Sequence, residues 1–134
     1  MPLTLVDANV LIDVLTRDAT WRDWSRAAIS SAVDAGGIAI DPIIYAEVSV
    51  GFERIEECEL ALGHLSLVRR ELPWPAAFLA GKAFRHYRRA GGLQTSPLPD
   101  FYIGAHAAVA GMRLLTRDAG RYRTYFPRLE LIAP

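Results

Sequence analysis

An α/β fold with a mostly parallel central sheet, covered by helices on both faces, is what this sequence predicts. Three observations lead there. Short apolar runs rich in β-formers, LTLV, GIAI, MRLLT and LELIA, recur along the chain; segments with apolar residues at helical spacing separate them; and the connections are short. Strands linked through helices by short connections pair in parallel with right-handed crossovers, which places helices on both faces. With 134 residues, 51% of them hydrophobic, the chain reads as one compact domain over 1–134, large enough to bury most of its apolar side chains.

The elements follow in order. LTLV is a β-rich run ending at Asp7, and ANVLIDVL continues with Val10, Leu11, Val14 and Leu15 at helical spacing, a strand feeding a helix. WRDWSRAAISSAVDAGG sets Trp21, Trp24, Ala28, Ile29 and Ala32 on one stripe and stops at Gly36-Gly37. GIAI is a strand, and Asp41-Pro42 after it reads as an N-cap followed by proline at the first helical position. IIYAEVSVGF begins the third helix, and ERIEECELALGHL the fourth, with Ile55, Leu62 and Leu65 facing in. LSLVRREL is a strand or an extended connection. AAFLAGKAFRHYRRAGG is helical, with Phe78, Leu79, Ala83, Phe84 and Tyr87 inward and Gly91-Gly92 as its stop. LQTSPLP is a loop whose prolines, Pro97 and Pro99, bring the chain stiffly to Asp100 and the small-residue helix FYIGAHAAVAGM. MRLLT is the next strand, TRDAGRYRTYF a short helical turn, and LELIA a final strand at an edge.

Composition removes several classes of function. No apolar run approaches the roughly 20 residues of a membrane span, and MPLTLVDANV lacks the basic start of a secretory signal, so a cytoplasmic protein is expected. The lone Cys58 stands beside Glu56, Glu57 and Glu59, whose charges oppose a thiolate, and it reads as a helix residue without a chemical role. The net charge of zero conceals an asymmetry. Residues 1–81 hold twelve acids against six arginines, a balance of −6, and residues 82–134 hold nine bases against three acids, a balance of +6. In the basic part Arg117, Arg121 and Arg123 interleave with Tyr122 and Tyr125, a pattern suited to phosphates and unstacked bases. Arg85, Arg88 and Arg89 read as one solvated helix face.

Four acids carry the chemistry: Asp7 after LTLV, Glu47 in PIIYAEV, Asp100 in SPLPDFYIGAHA and Asp118 in RLLTRDAG. In parallel sheets the functional rim lies at the carboxyl ends of the strands, and all four can reach it. Clustered carboxylates repel one another unless a cation neutralises them. With no histidine or cysteine at ligand spacing, hard oxygen donors favour Mg²⁺ or Mn²⁺ over zinc. The pattern points to a metal-dependent nuclease. Asp41 reads as an N-cap, Asp13 as lying on the exposed side of its helix or near the rim, His106 as a helix-packing residue, and Trp21 and Trp24 as core.

The runs VDANVLIDVL, YAEVSVGF, PLPDFYIGAHA and LLTRDAGRY, in this order and spacing, resemble the blocks of PIN-domain ribonucleases, in particular the VapC toxins of bacterial type II toxin-antitoxin pairs. The resemblance covers nearly the whole chain. It implies a three-layer α/β/α sandwich, a Mg²⁺ or Mn²⁺ requirement, endonucleolytic cutting of RNA, a cognate antitoxin that occludes the site, and a homodimer. Asp7, Glu47, Asp100 and Asp118 fall on the family's acidic quartet, and Asn9 and Thr116 on its supporting polar positions. Asp7 and Asp100 are then the main metal ligands. Glu47 binds through a water or helps deprotonate the nucleophile, Asp118 holds a second metal, and Arg117, Arg121 and Arg123 meet RNA. Two alternatives belong to other classes. One is a PIN-like module that binds RNA or a partner without cutting. The other is a receiver-type phosphoacceptor domain, which needs a lysine at a late strand end, whereas Lys82, the only lysine, lies in a helical pattern.

Overall fold

The structure, a computed structural model, describes residues 3–134. Five strands, β1 (Thr4–Val6), β2 (Ile38–Ile40), β3 (Leu67–Arg69), β4 (Arg113–Leu115) and β5 (Leu131–Ile132), form one sheet in the order β3-β2-β1-β4-β5. Every pairing is parallel. Seven helices connect them: α1 (Ala8–Leu15), α2 (Arg22–Ala35), α3 (Pro42–Ser49), α4 (Ile55–Gly63), α5 (Trp74–Arg89), α6 (Pro99–Ala110) and α7 (Gly120–Tyr125). The result is the three-layer α/β/α sandwich expected from the alternating pattern. LSLVRREL resolves as an edge strand, β3, and β5 is the opposite edge.

The central strands are buried on both faces, as a parallel sheet sandwiched by helices requires. Leu5, Val6, Ile38, Ala39, Leu114 and Leu115 are fully enclosed. Asp41 caps α3 as its sequence context predicts, its carboxylate accepting from the Ile44 amide at 2.9 Å. Its second oxygen meets His106 Nδ1 on α6 at 2.8 Å in a pair closed to solvent, so His106 packs α6 against the start of α3.

Two inward assignments change. Phe78 is 69% exposed. The buried stripe of α5 is Ala76, Ala80 and Ala83, and Phe78 stands two positions from both Ala76 and Ala80, which on a helix is the far side. Alanines there let α5 lie close against α6. Ile55 is 66% exposed. It shares a face with Leu62 but opens α4, so it overhangs the core along an open groove with Tyr45 and Glu59.

The strand order decides where a site can form. From β1 the chain moves to β2 and then β3 on one side, and afterwards crosses to β4 and β5 on the other. The order reverses between β1 and β4, and a crevice opens outside the carboxyl ends of those two strands.

Candidate active site

Asp7 leaves β1 at that crevice and caps α1, its Oδ1 accepting from the Ala8 amide at 2.8 Å. Its Oδ2 accepts from Thr116 Oγ1 at 2.9 Å and from the Tyr122 hydroxyl at 2.8 Å. Thr116 follows β4, so the switch point itself brings these two polar residues together. Asn9, in the first turn of α1, donates from Nδ2 to Thr116 Oγ1 at 3.3 Å and accepts the Arg117 amide on Oδ1 at 3.1 Å. Asn9 and Thr116 thus lock the β4–α7 turn to the start of α1.

Asp100 lies in the first turn of α6, where the helix dipole favours a carboxylate. The Tyr122 hydroxyl lies 3.3 Å from its Oδ1, and Arg121 Nη1 donates to its Oδ2 at 3.2 Å. Glu47, on α3, brings a third carboxylate, whose Oε1 is buried and has no hydrogen-bond partner. The charges of these groups are felt mutually. Burial raises the Asp7 carboxyl above its ordinary range; the hydrogen bonds from Tyr122 and Thr116 oppose this, and the Asp100 charge adds to it. Glu47 is pushed up to about 7, first by burial and then by the charges of Asp7, Asp100 and Asp41. Burial, followed by the charges of Asp7 and Asp100, also raises Tyr122, which keeps its proton.

Asp118 is exposed at the edge of the crevice, and its backbone amide donates to Thr116 Oγ1 at 3.2 Å. The structure therefore gathers Asp7, Glu47 and Asp100 into one electrostatic cluster and holds Asp118 beside it. Among the described residues no three acids, histidines or cysteines converge as a closed ligand set, and the Tyr122 hydroxyl stands between Asp7 and Asp100. The donors nevertheless suit a hard divalent cation. They are carboxylate oxygens, one is a buried atom lacking any partner, and burial followed by neighbouring acidic charge raises the proton affinities of Asp7 and Glu47.

Of the three arginines, Arg117 is committed to another task. Its guanidinium forks onto Asp13, Nε to Oδ2 at 2.7 Å and Nη2 to Oδ1 at 3.0 Å, and lies over the Trp21 ring. Asp13 is accordingly buried, not on an exposed face, and it also accepts from Ser25 Oγ at 2.9 Å. Arg121 and Arg123 are exposed on α7. Lys82 engages the Phe78 ring on α5, its ammonium 4.9 Å from the centroid. Tyr122 is the functional position that sequence reasoning passed over. It stands in the run RYRTY as one aromatic among arginines, and only its complete burial at four residues after Asp118 separates it from a base-stacking ring.

A parallel sheet with acids gathered at its switch point defines an α/β domain built around an anionic pocket. The PIN domain family matches residues 4–127, and the chain belongs to that family. Comparison with curated proteins by sequence finds no match. Among solved structures it is similar to VapBC2 from Rickettsia felis bound to a promoter DNA fragment, with a TM-score of 0.73 and 19% identity over 98% of each chain. It is also similar to DNA-bound VapBC from Salmonella typhimurium, with a TM-score of 0.69 and 21% identity over 99% of this chain and 98% of that one. A toxin-antitoxin complex from Klebsiella pneumoniae aligns with a TM-score of 0.68 and 23% identity over 96% of this chain and 95% of that one.

Proposed function

We propose that this PIN-domain protein is a metal-dependent endoribonuclease acting as the toxin of a toxin-antitoxin pair. The observation that carries the reading is the buried, unpartnered Glu47 oxygen in a cluster with Asp7 and Asp100, in which Arg121 reaches Asp100 alone. Asp7, Asp100 and Glu47 would hold Mg²⁺ or Mn²⁺, with Asp118 at the edge for a second ion. A divalent cation bound there supplies polarisation of a phosphoryl oxygen and activation of water for in-line attack on a phosphodiester.

The chain's own residues then have distinct tasks. Thr116 and Asn9 orient Asp7. Glu47 would either hold the cation through a water or help deprotonate the attacking water. Arg121, which reaches Asp100, and Arg123, exposed on the same short helix, offer cationic forks to the phosphates of the bound strand. The neighbouring structures are toxin-antitoxin complexes, and by likeness to them this chain takes a cognate antitoxin; pairing as a homodimer is what membership of the family implies.

The test is incubation of purified, antitoxin-free protein with total cellular RNA in Mg²⁺, Mn²⁺ or EDTA, with Asp7→Asn alongside, and mapping of the fragment ends. Discrete cuts that require metal and vanish in the variant support the reading. Absence of cuts under every metal condition leaves a non-catalytic binding module in its place.

A further inference from the structure

Resting on that reading, we infer that Tyr122 is a positioning residue for the metal-holding acids, its rigid hydroxyl fixing Asp7 at a set distance from Asp100. Asp7 has about four lone-pair sites on its two oxygens. The Ala8 amide takes one on Oδ1, and Thr116 and Tyr122 take two on Oδ2. What remains open is on Oδ1, so the three donors select which oxygen of Asp7 faces a cation.

A phenol has one proton. At 2.8 Å from Asp7 and 3.3 Å from Asp100, the hydroxyl gives it to Asp7 and turns its bare oxygen toward Asp100. It thereby ties one carboxylate and holds the other off. The neighbouring Arg121 takes the second oxygen of Asp100 at 3.2 Å, so consecutive residues of α7 address both oxygens of that acid.

Such a spacer works only if it cannot move, and the packing ensures this. Tyr122 is 1% exposed. It lies with Phe126 against Gly104 of α6, where a Cβ would come within 2.5 Å of the Phe126 ring and 3.1 Å of Tyr122 Cδ1. Glycine at 104 therefore lets α7 seat its two rings directly on the helix that carries Asp100. Asp7, Asp100 and the phenol are referred to one rigid contact between α6 and α7. This role is separate from that of the acids, because Tyr122 has no charge to offer a cation and acts only through the groups it touches.

Tyr122→Phe keeps the ring and deletes the hydroxyl. Calorimetric titration with Mn²⁺ alone should show binding weakened about 10- to 100-fold, the loss typical of removing a group that orients a metal ligand. In the cleavage assay the metal concentration for half-activation should rise by a similar factor, with a smaller change in kcat at saturating metal. Unchanged Mn²⁺ affinity in a variant whose melting temperature alone falls would reduce Tyr122 to a packing residue and overturn the inference. Wild-type protein that binds no Mn²⁺, or binds it as Asp7→Asn does, overturns the nuclease reading itself and this inference with it. Should Tyr122→Phe fail to fold, wild-type protein labelled at tyrosine ¹³Cζ decides. The Tyr122 resonance is expected to shift with Mg²⁺ in step with the binding isotherm, and a resonance unmoved at saturation overturns the proposal.

Discussion

Thr116 donates a hydrogen bond to Asp7 at 2.9 Å across 109 positions of the chain. The contact follows from register. Val6 of β1 is the partner of Leu115 in β4, and the Asp7 amide donates to the Leu115 carbonyl at 2.8 Å, so the next residue of each strand leaves the sheet beside the other. Asp7→Asn largely preserves this arrangement, because asparagine also caps a helix and the Tyr122 hydroxyl can rotate to accept from its amide. Cleavage should fall by on the order of a hundredfold or more, matching the several kcal/mol a metal contributes to transition-state charge. Thermal unfolding in EDTA should show no loss of stability, since a carboxylate repelled by Asp100 has been removed. Normal cleavage by this variant would refute the assignment of Asp7.

Glu47 predicts a pH dependence for the metal-free protein. Burial and the charges of Asp7, Asp100 and Asp41 push its folded-state pKa up to about 7, above the 4.5 of a free glutamate. A carboxyl raised on folding contributes stability that is fully present below the unfolded value and is lost as pH rises through the folded one. Stability in EDTA should therefore decline between about pH 4.5 and 7, and Asp7 acts in the same direction. The decline should be about 1–2 kcal/mol after allowing for solvent screening of a group only half enclosed. Glu47→Gln should flatten that part of the profile in urea titrations. A slope unchanged by the substitution would place the titrating group elsewhere.

What the sequence reveals and what it conceals divide along the range of the interactions. Asp7, Asp41 and Asp100 are legible because each marks a local event, the end of an apolar strand or the first turn of a helix. The parallel sheet is legible from the spacing of LTLV, GIAI and MRLLT. Tyr122 and the Arg117–Asp13 pair are not, because their partners lie 115 and 104 positions away and nothing in the local pattern of either side names the other. The same holds for Phe78. Its apolar side chain invites an inward placement, and only the alanine stripe facing α6 shows which side of α5 is covered.

The Arg117–Asp13 pair predicts a structural phenotype at a position whose neighbours suggest RNA binding. Asp13 is 2% exposed, so Arg117→Met leaves a buried carboxylate with Ser25 as its remaining side-chain donor. Breaking a fully buried ion pair costs about 3–5 kcal/mol, and with Arg117 itself 31% exposed the cost here should be smaller, about 2 kcal/mol, whereas replacing both members by apolar residues costs far less. Urea unfolding should show Arg117→Met destabilised and Asp13→Leu combined with Arg117→Met largely recovered. A stable Arg117→Met protein with selectively weakened RNA binding would return Arg117 to the substrate surface.

Arg121 and Arg123 stand two residues apart on α7 and should fail differently. Among the described residues the Arg123 side chain forms no ion pair or hydrogen bond, so its charge is free for a phosphate. Arg123→Ala should weaken RNA binding evenly across sequences and reduce the salt dependence by about 0.7 in the log–log slope, the share of one single-strand phosphate contact. Metal affinity should not change. Arg121 also neutralises Asp100 through a half-exposed contact of 3.2 Å. Pairs of that kind contribute about 0.2–1 kcal/mol, and a divalent cation must compete with this one. Arg121→Ala should therefore bind Mn²⁺ more tightly, by up to about fivefold, while binding RNA less tightly. Opposite signs in two titrations of one variant require Arg121 to exchange Asp100 for phosphate when the site fills. Losses of equal size in both titrations would mean that Arg121 only braces the acid.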